Sequence, residues 1–269
     1  MKTIYHFSGA GNDFVVIDGR EGDVSSFREV ATIEALCKEY KTDGLMILGS
    51  GDAEVDFTME FFNPDGSGGM MCGNGGRCIV AFADYLGIRP SCHPELAEGS
   101  YLFRAPDGLH TGEILARPEK DLWTVRIKMI DVQGITPMLG GYFLNTGTRH
   151  FVKFVDDVEK VDIDTEGKAL RWDPAFAPVG TNVNFVHVAP DGLHVRTFEK
   201  GVEGETLACG TGLTACALVA HHTGVPTATP GAYRLRARQD WLSVNFTPGA
   251  DEKFTDVYLT GPARLVKII

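Results

Sequence analysis

Two cysteines in this 269-residue chain stand in the same setting, Met71-Cys72-Gly73-Asn74-Gly75 and Ala208-Cys209-Gly210-Thr211-Gly212, 137 positions apart. Each precedes a glycine-rich turn that runs into an apolar helical pattern. A helix begins with backbone N–H groups that have no carbonyl partner inside it, and their partial positive charge favours an anion. A cysteine there can have its thiolate stabilised, which brings its pKa from about 8.5 towards neutrality and makes it a usable base. The glycines leave the backbone uncovered, so a substrate carboxylate can reach those N–H groups. One thiolate and one thiol flanking a carbon acid can remove a proton from one face and return one to the other, which inverts a stereocentre. Because an amino-acid α proton is very weakly acidic, the developing charge needs preorganised donors in a dry site. That chemistry requires no lysine-anchored pyridoxal and no other cofactor.

Other uses of the cysteines fit less well. The spacings Cys72-x5-Cys78 and Cys209-x6-Cys216 lack the two-to-four separation of zinc knuckles, so no metal site is expected. A thioredoxin-like C-x-x-C is absent. Cys37, Cys78 and Cys216 fall within helical patterns and read as core residues, and Cys92-His93 reads as incidental to an insertion over 89–100 without periodicity.

The elements that must position the two thiols repeat along the chain. At the same offset of 137, Phe14-Val15 falls on Phe151-Val152 and Phe61 on Phe198, which indicates a divergent tandem duplication. A pseudo-twofold relation between two such lobes would bring the cysteines face to face. In the first lobe, strands are expected over 4–7, 14–18, 45–48, 55–62, 101–104, 113–116 and 123–130. A helix lies behind Ser25-Ser26, and another follows Cys72 with Ile79, Phe82, Ala83 and Leu86 on one face. In the second, strands are expected over 142–144, 151–155, 184–188, 194–198, 233–237, 241–246, 257–260 and 264–269, with the second cysteine's helix ending before Gly224.

The formal charge of −11 and the lack of a Lys/Arg cluster argue against nucleic acid as a partner. No apolar run reaches membrane-span length and no signal-peptide pattern opens the chain, so a cytoplasmic location without membrane attachment is the default. Six cysteines without an export signal read as reduced thiols.

Several stretches together resemble the diaminopimelate epimerases, the pyridoxal-independent two-cysteine class. They are Gly11-Asn12-Asp13-Phe14, Phe62-Asn63-Pro64-Asp65-Gly66-Ser67, the segment from Met71 to Cys78, Thr181-Asn182-Val183-Asn184-Phe185, and Phe198-Glu199-Lys200-Gly201 leading to Glu205 and Cys209. The resemblance implies an α+β fold of two pseudo-symmetric lobes, each a β-barrel-like sheet wrapped around a central helix. The lobes would be 1–130, with the last strand at about 262–269, and 131–261. It implies interconversion of LL- and meso-diaminopimelate on the route to lysine and, in many bacteria, cell-wall peptide. Cys72 and Cys209 would be the catalytic acid–base pair. Substrate-binding roles would fall on Asn12, Asn63, Gly73, Asn74, Thr148, Asn182, Glu199, Lys200, Gly210 and Thr211, and His150 would be auxiliary. The partner is a small amino-acid substrate. A homodimer is common in the family, although no stretch here reads as an interface.

The chain departs from the family pattern at Gly44, where a glutamine is usual, at Thr148-Arg149, where asparagine-proline is usual, and at Lys200, where an arginine is usual. A lysine keeps an ammonium contact but loses the two-pronged guanidinium grip. The alternatives left open are a proline- or hydroxyproline-type racemase of the same architecture and a non-catalytic relative that binds small amino acids. Asn74, where those racemases carry histidine, and the retention of both cysteines favour the epimerase.

Overall fold

Short apolar runs separated by glycine turns make strands the chain's main regular element. The computed structural model describes residues 2–69, 71–91 and 99–269. By contact density the chain divides into two units, Met1–Ile127 with Gly261–Ile269, and Lys128–Thr260.

The first unit contains β1 (Ile4–Gly9), β2 (Asn12–Asp18), α1 (Val30–Tyr40), β3 (Gly44–Ser50), β4 (Phe57–Phe62), α2 (Gly73–Tyr85), β5 (Ser100–Ala105), β6 (Gly108–Glu119) and β7 (Leu122–Lys128). Its pairings run antiparallel for β1–β2, parallel for β2–β3, antiparallel for β3–β4, parallel for β4–β5, and antiparallel for β5–β6 and β6–β7. The end of the last strand, β17 (Lys253–Ile268), pairs with both β7 and β1 and closes the ring at eight strands.

Inside that ring lies α2, buried at every position from Gly73 to Ala83. The sequence suggested a helix with one apolar face. Enclosure by strands on all sides instead demands small or apolar residues around its whole circumference, which Gly75, Gly76, Ala81 and Ala83 supply. A Cβ at Gly9 of β1 would lie 2.8 Å from the Asn74 carbonyl oxygen and 2.9 Å from Cys78 Sγ, so glycine lets strand and helix meet there. Outside the ring, Ile33 and Cys37 of α1 pack on Val15, Ile17, Leu45 and Ile47, so β2 and β3 are apolar on both faces. The Ser25-Ser26 pair does not cap this helix: it opens a separate 3-10 turn, and Glu29 stands at the N-cap of α1.

The second unit contains β8 (Val132–Gln133), β9 (Thr136–Met138), β10 (Gly141–Asn145), β11 (Arg149–Phe154), α3 (Lys168–Arg171), β12 (Asn182–Ala189), β13 (Gly192–Glu199), β14 (Gly204–Thr206), α4 (Gly210–His222), β15 (Ala232–Arg236), β16 (Trp241–Pro248) and the first half of β17. Strand pairing repeats the first unit's succession: β10–β11 antiparallel, β11–β12 parallel, β12–β13 antiparallel, β13–β15 parallel, β15–β16 and β16–β17 antiparallel. The short pieces β8 and β9, broken at Gly134 with φ 84°, pair with β17 and β10 respectively. This repetition, with a buried helix inside each ring, is the α+β duplicated barrel expected from the sequence. The weakly patterned stretch before β12 forms short helical turns whose Val158, Ile163 and Phe176 cover Phe151, Val183 and Phe185 on the outer face.

Two strand expectations need correction. Residues 257–260 and 264–268 belong to one 16-residue strand, which stops one residue short of the expected end at 269, because Gly261-Pro262 stays in register opposite Val125 and Thr124. The strand expected over 113–116 extends across all of β6, where register shifts after Ile114 and after Ala116 disturb the alternation that sequence patterning needs. Cys92-His93 lies outside the described residues. Among the described residues no helix is long and apolar enough to cross a membrane, which leaves strand-spanning proteins unaddressed.

Candidate active site

In the first unit, Cys72 is the N-cap of α2, in extended conformation with φ −104° and ψ 152°. Its Sγ accepts from the Gly75 N–H at 3.2 Å. The first turn carries no acidic side chain of its own, and the Met71 N–H just before it donates to Asp107 Oδ1 at 3.0 Å. Asn74, one residue into the helix, donates through its amide nitrogen to Asn12 Oδ1. Asn12 in turn donates to Asp43 Oδ2 at 3.2 Å, and the Asp13 N–H reaches the same oxygen at 2.9 Å.

Beneath this network lies Arg77, fully buried, which donates to Gly73 O at 3.1 Å, Asn74 Oδ1 at 2.9 Å and Pro262 O at 3.2 Å. A guanidinium with five donors can hold the first turn and the Asn74 amide together. Asn63 stands apart from these contacts, tied into its own turn by donation to Ser67 Oγ at 3.0 Å. At Gly44 a Cβ would lie 2.6 Å from Phe61 Cε2 and 2.7 Å from the Phe62 carbonyl oxygen. The Phe61 ring therefore fills the space a longer side chain would need.

In the second unit, Cys209 is the N-cap of α4, again extended and again without an acid in the first turn. Here no backbone N–H caps the side chain; instead Cys209 Sγ lies 3.5 Å from Thr211 Oγ1. The Thr146 hydroxyl donates to the Thr211 carbonyl at 2.9 Å and ties the helix start to the β10–β11 loop. His150 Nε2 is 2.9 Å from both Thr148 Oγ1 and Thr211 Oγ1, and the two hydroxyls are 3.0 Å apart. Asn182 donates to Thr148 at 3.3 Å and accepts from the Lys200 N–H at 2.8 Å. Glu199 accepts from the Thr206 hydroxyl at 2.9 Å. The structure thus gathers Thr148, His150, Asn182 and Thr211 beside Cys209, with Lys200 joined through its backbone.

Burial pushes Cys37, Cys78 and Cys216 up from the ordinary thiol value, so all three stay protonated and inert at neutral pH. His150 is completely buried, and desolvation pulls its pKa down to about 3, so the ring is neutral at physiological pH. Among the described residues, no group of three or more His, Cys, Asp or Glu is placed to hold a metal ion.

Sequence reasoning passed over Arg77, Asp43, Thr146 and Asn184. For Asn184 a signal exists: it stands two residues from Asn182 on a strand whose other positions, His187 apart, are apolar, so both amides face the same side. For Arg77 the only hint is the one charge within the stretch from Gly73 to Ala83, which is otherwise small or apolar apart from Asn74.

The family model described as diaminopimelate epimerase matches residues 4–106 and 142–266. Among similar proteins, the diaminopimelate epimerase of Chlorobaculum tepidum is 38% identical over 268 residues, covering 96% of this chain and 97% of that protein. That of Flavobacterium psychrophilum is 36% identical over 267 residues, covering 98% and 97%. Two solved structures share the fold at low identity. A PhzF-family phenazine biosynthesis protein from Bacillus anthracis superposes with TM-score 0.76 at 11% identity, covering 100% of this chain and 98% of that one. A hydroxyproline epimerase from Agrobacterium vitis does so with TM-score 0.61 at 15% identity, covering 100% and 91%.

Proposed function

Because the chain belongs to the diaminopimelate epimerase family, isomerases of the racemase and epimerase class, we propose that Cys72 and Cys209 invert one α carbon of 2,6-diaminopimelate by two-thiol proton transfer, LL to meso and back. The observation that carries this reading is the matched placement of the two sulfurs, each at the N-cap of a buried helix with no acid in its first turn.

One cysteine, as thiolate, takes the α hydrogen as a proton, and the C–H electron pair passes into the adjacent carboxylate. The other cysteine, as thiol, delivers its proton to the opposite face, so the two exchange protonation states with each turnover. Backbone N–H groups at Gly73-Asn74 and Gly210-Thr211 stabilise the charge on the carboxylate. Asn12 and Asn63 from the first unit, and Thr148, Asn182, Glu199 and Lys200 from the second, provide donors and acceptors for the ammonium and carboxylate ends. Such a reaction places the protein in lysine biosynthesis, acting on a small amino acid in the cytoplasm.

The test is incubation of reduced protein with LL-diaminopimelate in heavy water. Meso product carrying deuterium at the inverted carbon is expected. Exchange with proline but none with diaminopimelate would overturn the substrate assignment.

A further inference from the structure

Asn184 is wholly buried on β12, and its partners fix the sense of its amide. The nitrogen is 3.1 Å from the Phe151 carbonyl oxygen, which can only accept, while the oxygen receives the Thr197 hydroxyl at 2.9 Å. The NH₂ group is also 3.1 Å from His150 Nδ1. Nδ1 must therefore be the accepting nitrogen, which leaves the single proton of the neutral ring on Nε2.

From Nε2 that proton points at the hydroxyl oxygens of Thr148 and Thr211, each 2.9 Å away. A Thr211 oxygen that accepts from the ring keeps its own proton for another partner, and the Cys209 sulfur lies 3.5 Å from it. All three hydrogen-bonding side chains around the ring, Thr148, Asn184 and Thr211, are uncharged. Close packing preserves the arrangement: a Cβ at Gly212 in the first turn of α4 would stand 2.4 Å from Asn184 Oδ1 and 3.3 Å from His150 Cε1.

We propose that Asn184 is a positioning residue that locks His150 as its Nε2–H tautomer, so that the Thr211 hydroxyl donates to the sulfur of Cys209 when that sulfur is a thiolate. The proposal rests on Cys209 acting as an acid–base thiol. It adds a chain, Asn184 to His150 to Thr211 to Cys209, whose first link has its sense fixed by the Asn184 amide. In the first unit the Gly75 N–H donates to the corresponding sulfur at 3.2 Å.

The test begins with the unmodified protein labelled with ¹⁵N-histidine. Long-range proton–nitrogen spectra at neutral pH, with His150 identified by its loss in His150→Gln, are expected to show a neutral ring protonated at Nε2. A ring protonated at Nδ1, or a doubly protonated ring, would overturn the proposal. Asn184→Asp keeps the shape but can only accept, so Nδ1 is expected to gain a proton; an unchanged ring spectrum would reduce Asn184 to packing.

The final link is read from the rate of Cys209 alkylation against pH, with the modified peptide identified by mass. Thr211→Val is expected to slow alkylation at neutral pH about tenfold, as befits loss of one hydrogen bond to a charged group, while Thr211→Ser keeps the rate within about twofold. Equal rates in both variants would break the chain at Thr211. Should Asn184→Asp fail to fold, the unmodified spectrum and the Thr211 variants still decide. None of these readouts uses turnover, so they stand apart from the assay of diaminopimelate epimerisation.

Discussion

Acidification should destabilise this protein through His150 before that residue is protonated in the folded state. The buried ring has a pKa of about 3, whereas in the unfolded chain an ordinary histidine titrates near 6.5. Between those values the unfolded state holds one more proton than the folded state, so unfolding free energy falls as pH falls, beginning near 6.5 and ending near 3. Each pH unit inside the window costs about 1.4 kcal/mol, giving roughly 3 kcal/mol by pH 4.5 and roughly 5 kcal/mol at its lower end. Urea unfolding followed by circular dichroism at pH 7, 6, 5 and 4.5 would measure this. His150→Gln has no such proton to take up, while both proteins keep the same carboxylates, so their difference isolates the ring. The variant should be less stable at pH 7, because it disturbs a buried network, and its deficit should shrink by roughly 3 kcal/mol by pH 4.5. A deficit that stays constant across the range would refute the buried neutral histidine.

Substitutions at three positions, with a fourth as control, test the packing in the two units. Gly212→Ala should cost about 1–3 kcal/mol in thermal or urea unfolding, because its Cβ meets Asn184 Oδ1 at 2.4 Å. Gly204→Ala, whose Cβ meets nothing within 4 Å, is the control and should be close to neutral. Arg77→Met should lose about 3 kcal/mol or more, since Gly73 O, Asn74 Oδ1 and Pro262 O each lose a buried donor; Arg77→Lys should recover only part of it by the same assay. Gly44→Gln, which installs the residue usual in the family, should destabilise by about 1–3 kcal/mol and fail to raise activity, because the Phe61 ring and the Phe62 carbonyl fill that space. A stable and faster variant would show that the site has room for it.

Much of the architecture was legible because duplication wrote the same signals twice. Phe14 and Phe151 sit at matching places on β2 and β11, and each cysteine marks the first residue before a helix that strands enclose. What escaped sequence reading was context. The α2 positions opposite Ile79 and Phe82 look like a solvent face when only periodicity is considered, yet a surrounding barrel buries them. Glycine and proline at 261–262 look like a break, although β7 supplies a partner strand on which they stay in register. At the site, Cys72, Cys209, Asn12, Asn74, Thr148, His150, Asn182 and Thr211 could be named from motifs. Arg77 and Asn184 lie inside the quoted motifs, yet their roles were not legible there, because those rest on hydrogen bonds that reach Pro262 from Arg77 and Phe151 and His150 from Asn184. Gly44 shows the converse: a departure visible in the sequence acquired its reason only when Phe61 was seen across it.

The most direct measurement of the two-thiol account compares unmodified protein, Cys72→Ser and Cys209→Ser with LL-diaminopimelate in heavy water, following meso product and α-deuterium by NMR and mass spectrometry. With proton transfer divided between the two sulfurs, the unmodified protein forms deuterated meso product and each variant loses at least about a hundredfold in that rate, the scale of a missing general acid or base. Epimerisation with solvent deuterium at close to the unmodified rate in either variant would contradict it.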